Sequence, residues 1–136
     1  MLQSPSFVAG GNISPGRVVL ISGDFTVSQV TADAANANAR KVVGIATTGF
    51  RRPQGFADYQ YAAIAGEPIR VYGTGEVCLA EAGEDLVAGD RLAFNANGQV
   101  VKVTSVTGAL VSVGIALAGA NAGEYVRVYV NVNVIA

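Results

Sequence analysis

"AGEPIRVY" at residues 65 to 72 and "AGEYVRVY" at 122 to 129 agree in six of eight letters, 57 positions apart. In a chain of 136 residues, such self-similarity points to a fold built from two like units packed as one body. Two further blocks recur in the same order. "SPGRVVLI" at 14 to 21 answers "VAGDRLAF" at 87 to 94, with Gly16 over Gly89 and Val19 and Ile21 over Leu92 and Phe94. "VVGIATTG" at 42 to 49 answers "SVGIALAG" at 112 to 119. Each unit reads as a turn, a hairpin, a "VGIA" strand, then "AGE" leading into "VRVY".

The periodicity is that of strands. From Val126 to Val134 every second residue is valine, and Arg127, Tyr129, Asn131 and Asn133 stand between them. Period-2 alternation buries one face and leaves the other polar. The first copy sets Ile69, Val71, Val77 and Leu79 on one parity, with Gly73 and Gly75 marking a bend. Cys78 then falls on the polar parity unless that bend reverses it. "Asn97-Gly98" between "RLAFNA" and "QVVKV" predicts a two-residue type I′ hairpin turn, and "Gly23-Asp24" stands near the same point of copy one. Helical signals are weak: "TADAANANARK" offers one or two turns behind Thr31 as N-cap. The expected fold is all-β, a single barrel-like or sandwich domain over 13–136. Its units cover about 13–80 and 86–136.

Two segments fall outside the repeat. Residues 1–12 hold Pro5 and Gly10-Gly11 with Leu2, Phe7 and Val8 as isolated apolar letters, and predict an extended N-terminal arm. Between Gly16 and Glu67 lie 51 positions, and between Gly89 and Glu124 only 35, so copy one carries 16 extra residues. Most of them form an inserted loop at about 50–63. It brings Phe50, Phe56, Tyr59 and Tyr61, four of the ten aromatic residues, together with Arg51 and Arg52. An aromatic-rich loop added to one of two like units is a candidate contact surface, or a cap on the open end of the fold.

Chemistry finds little to work with. Histidine is absent and Cys78 is the single cysteine, so Ser-His-Asp, Cys-His and cysteine-rich zinc arrangements are excluded. Glu81, Glu84, Asp85 and Asp90 gather in "EAGEDLVAGD" without the alternating oxygen ligands of a calcium loop. Among polar letters the Glu, Arg and Tyr of "GE..RVY" recur, and Glu67, Arg70, Glu124 and Arg127 are the charged ones. An extended strand spaces each Glu–Arg pair roughly 10 Å apart, so these residues are candidates for contacts with neighbouring strands or subunits. A net charge of -1 offers no footprint for nucleic acid or for membranes. Hydrophobic letters make 51% of the chain and charged ones 14%, a surplus that partners can cover. The expectation is no enzyme, no cofactor and no metal.

The ordered series "AGDRLAF" at 88–94, "VGIALAG" at 113–119 and "VRVYVNV" at 126–132 resembles the small β-rich capsid decoration, or cement, proteins of tailed bacteriophages. "PGRVVLI", "VGIATTG" and "IRVYGTGEV" repeat it more faintly. The resemblance implies a virion protein, made in the bacterial host cytoplasm, that docks on the outer capsid surface as homotrimers. It implies the major capsid protein as partner, with the N-terminal arm reaching onto the capsid floor. The alternative is a tail-associated or host-surface carbohydrate-binding module with the aromatic insertion as its sugar platform.

Overall fold

The computed structural model describes residues 7–49 and 60–135. Among these described residues eleven strands follow one another: β1 (Phe7–Ala9), β2 (Val18–Gly23), β3 (Thr26–Gln29), β4 (Val42–Ala46), β5 (Pro68–Ile69), β6 (Val71–Tyr72), β7 (Val77–Glu81), β8 (Arg91–Phe94), β9 (Val100–Lys102), β10 (Val111–Ala116) and β11 (Tyr125–Val134). They form a six-stranded sheet ordered β5-β1-β3-β2-β4-β6 and a five-stranded sheet ordered β7-β11-β10-β8-β9. No α-helix occurs among the described residues, only short 3-10 turns at Ala37–Lys41 and Val103–Ser105. The chain is all-β and sandwich-like, and neither sheet closes into a barrel.

The two sheets are copies of one another down to the pairing of individual residues. Val19 faces Gln29 and Val27 faces Ile21 in the first hairpin; Leu92 faces Lys102 and Val100 faces Phe94 in the second, each position displaced by 73. The pair Ile45–Tyr72 answers Ile115–Tyr129, and Ala46–Val71 answers Ala116–Val128. The match also reaches further toward the N-terminus than the sequence blocks do. In β1, Phe7 faces Ile69 and Val8 faces Pro68; in β7, Ala80 faces Val126 and Glu81 faces Tyr125. Ala9 donates to the Glu67 carbonyl and Gly10 to that of Val27, while Ala82 donates to Glu124 and Gly83 to Val100, all at 2.8 Å.

The N-terminal segment is therefore tied down at its inner end. Residues Phe7–Ala9 run parallel to β3 and antiparallel to β5, while Leu2 lies outside the described residues. The boundary between units also moves. β7, expected in the first unit, belongs to the second sheet, because the turn around Gly73–Gly75 ends β6 and reverses the parity beyond it. Ile69 and Val71 are buried, whereas Val77 and Leu79 are exposed and Cys78 is buried.

Each sheet curls around its own apolar interior. β5 and β6 are the two halves of one extended segment, Pro68–Tyr72, which pairs with β1 on one side and β4 on the other. The first sheet thus bends back toward its start, around Ile13, Val19, Val27, Ala46, Ala63 and Ile69. In the second unit the matching positions are Leu86, Leu92, Val100, Ala116, Ala120 and Val126. All of these except the half-buried Ala120 are buried members of a larger core, which continues into Val18, Val42 and Ile45 of the first sheet. Apolar burial on this scale, worth about 1.5–3 kcal/mol per large side chain, joins the units into one body.

Local sequence chemistry explains the turns, with two departures from expectation. The β8–β9 loop is not a type I′ turn. Only Gly98 has positive φ (79°), and Asn95 closes a longer loop by accepting from the N–H groups of Asn97 and Gln99. A type I turn ending in a left-handed glycine is the usual geometry of such a loop. In "TADAANANARK" the cap is Asn36, which accepts from Asn38 N–H at 2.9 Å, and not Thr31.

The closest backbone approaches lie at the repeated "VGIA" glycines. A Cβ on Gly44 would sit 2.0 Å from the Tyr72 carbonyl oxygen, and one on Gly114 would sit 2.2 Å from that of Tyr129. Backbone cannot swing aside as a flexible side chain does. Gly44→Ala and Gly114→Ala are each expected to cost about 3 kcal/mol or more in chemical denaturation, far beyond Gly11→Ala, whose Cβ meets nothing within 4 Å.

Candidate interaction surfaces

The recurring polar residues serve the fold. Glu67 accepts from Ile64 N–H at 3.0 Å and Glu124 from Asn121 N–H at 2.8 Å, so each carboxylate closes the turn before its strand. Arg70 pairs with Glu76 at 2.8 Å and lies 4.6 Å over the Tyr72 ring. Arg127 is exposed and forms no ion pair among the described residues. The four residues thus separate: three have intrachain work and Arg127 is left to solvent.

The acidic stretch is likewise spent on backbone. Glu84 accepts from Lys102 N–H, Asp85 from Ala122 N–H and Asp90 from Val87 N–H, at 2.9–3.0 Å. Glu81 meets Arg17 at 2.7 Å and also accepts from Gln99, tying the two units together. No group of three or more metal-ligating side chains occurs among the described residues. Burial, aided by the negative charge of Glu76, pushes the Cys78 thiol up to about 12. It is a protonated thiol near neutrality and a poor nucleophile. A hollow of about 120 Å³ lies over Leu20, Val30 and Phe94 with Asp33, Asn36 and Asn38 at its rim. That is well below the roughly 300 Å³ at which small-molecule pockets begin.

Exposed apolar side chains cluster in two places of interest among the described residues. At one end, β1 and the β2–β3 hairpin tip come together: Val8 N–H donates to the Phe25 carbonyl at 2.9 Å. Val8 is 40% exposed and Phe25 68%, while Phe7 is half-buried against the small core. Leu2, Phe50, Arg51, Arg52, Phe56 and Tyr59 lie outside the described residues; Tyr61 is half-buried beside the buried Ala62 and Ala63. The second place is the outer face of the second sheet, where Val77, Leu79, Leu117, Tyr125 and Tyr129 are all exposed.

Phe25 is the residue that sequence reading passes over. It has φ of 50°, alone among the described non-glycine residues in the left-handed region. Its counterpart 73 positions on is Gly98, at 79°. The signal was available: carrying the hairpin alignment four residues beyond Ile21 sets Phe25 over that glycine. A bulky residue in this conformation costs about 1–2 kcal/mol. Burial does not offset that cost, because the ring is 68% exposed.

No known family model matches this chain. Nor does any curated protein. Among solved structures, it is similar to the crystal structure of the head fiber gp8.5 N base of bacteriophage phi29. The TM-score is 0.54 at 18% identity, over 96% of this chain and 95% of that one. At that identity the likeness is one of fold, and it extends over both units.

Phe25→Gly is expected to leave thermal stability unchanged or raise it, by up to about 1 kcal/mol, because it removes left-handed strain and an exposed ring. A clear fall in melting temperature would show that the ring is needed by the fold.

Proposed function

We propose that this chain is a non-enzymatic structural protein of a tailed-bacteriophage virion. It binds the outer surface of the head and ties neighbouring major capsid subunits together against internal pressure. The observation that carries this reading is a fold shared along nearly the whole chain with a protein whose own name places it in a phage head fiber. The residue chemistry agrees in kind: carboxylates engaged by backbone N–H groups, a protonated buried thiol, and apolar residues held outward.

In this reading the partners are the major capsid protein and further copies of the chain, as a homotrimer, with neither nucleic acid nor membrane involved. The end carrying Val8 and Phe25 faces the shell, since strand β1 and the β2–β3 hairpin tip meet there with both side chains exposed. A weak contact repeated over many shell positions holds firmly in sum, so no deep pocket is needed.

Heads lacking the protein are expected to release DNA at a lower temperature than heads to which it has been added back. Phe25→Ser should restore less of that resistance than the unaltered protein. Equal release temperatures with and without the protein would remove the cementing role. Heads that fail to take up the protein at all would remove the head-binding role.

A further inference from the structure

The outer face of the second sheet is ordered in rows. Val77, Tyr129, Ile115 and Arg91 lie side by side across β7, β11, β10 and β8. Leu79 and Arg127 form the next row, and Leu117 N–H donates to the Arg127 carbonyl at 2.8 Å, extending it. Val77 is 51% exposed, Leu117 46%, Tyr129 40% and Leu79 39%. Arg91 and Arg127 are exposed and form no ion pair among the described residues. Charges without partners on an otherwise apolar face suit an interface rim more than a plain solvated surface.

The first unit shows what happens to this face elsewhere in the same molecule. The row matching Tyr129–Ile115–Arg91 is Tyr72–Ile45–Val18. There Ile45 and Val18 are fully buried in the core shared with the second sheet, and Tyr72 packs partly against it. Where the row is covered its end is valine; where it is open its end is arginine. Arg70, the counterpart of Arg127, is neutralised by Glu76 within the chain. The same sheet face is thus covered in unit one by a unit of this very fold and left open in unit two.

We infer that the open face is covered by a second copy of this chain, which repeats between molecules the packing that the first unit's face receives within one. The inference rests on the head-protein reading only for where the assembly works; the self-contact is a property of the protein in solution. A contact of one unit's face against a different surface of the next copy is head-to-tail, and such contacts close into rings when the rotation allows. Exposed Asp24 and Asp33 are carboxylates that a neighbouring copy can offer to Arg91 and Arg127.

The test is sedimentation velocity of the full-length protein, alongside Leu79→Glu/Leu117→Glu and the milder Arg127→Glu. All three positions point outward, so each variant is expected to melt with the unaltered protein. The unaltered protein should sediment as an oligomer at tens of micromolar, the double variant as a monomer, and Arg127→Glu with at least tenfold weaker association. A monomeric unaltered protein would overturn the inference. So would variants that melt normally and assemble normally. Variants that assemble normally but no longer bind heads would assign the face to the shell instead, overturning the self-contact while leaving the head-binding role in place. Uptake by heads, measured separately, decides that role whatever the sedimentation result.

Discussion

The contact on which the fold depends is the approach of one backbone to another at Gly44 and Gly114. Each lies where a Cβ would collide with the carbonyl oxygen of Tyr72 or Tyr129. That approach pins the "VGIA" strand to the "VRVY" strand in one register, Ile45 against Tyr72 and Ile115 against Tyr129. A slip by one residue would turn every buried valine of β11 outward. Because the same lock operates in both units, the two sheets place the same letters on the same faces.

From that lock the division between scaffold and surface follows. Glu67 and Glu124 close the same turn, and Ala9 and Ala82 bond to the same carbonyl position. Some differences between the copies change what a position presents outward. Phe25 stands in place of Gly98, and Arg91 in place of Val18. Duplication supplies a stable body, and divergence at a few positions leaves Phe25 and Arg91 exposed on it.

The repeated blocks and the valine alternation were legible because side-chain pattern carries them. The strand identity of Phe7–Ala9 was not. Its ties are main-chain bonds to Glu67 and Val27, and every residue type offers the same N–H and C=O groups. Only "AG" at 9–10 and 82–83 marks the match in letters. The exposure of Val77 and Leu79 was hidden for a different reason: alternation cannot be carried across the glycine turn at 73–75, after which the chain enters the other sheet. Of the candidate contact residues, Phe7, Val8 and Arg127 lie at or beside the open surfaces, whereas Glu67, Arg70 and Glu124 turned out to hold turns and an intrachain ion pair. The left-handed, exposed Phe25 needed the two units to be laid over each other through a loop.

The central claim, a duplicated scaffold whose outward differences serve a phage head, is tested most directly by the copy number of this chain in particles banded on a density gradient. The account predicts a ratio to the major shell protein near one to one. A handful of copies per particle, or none, would contradict it.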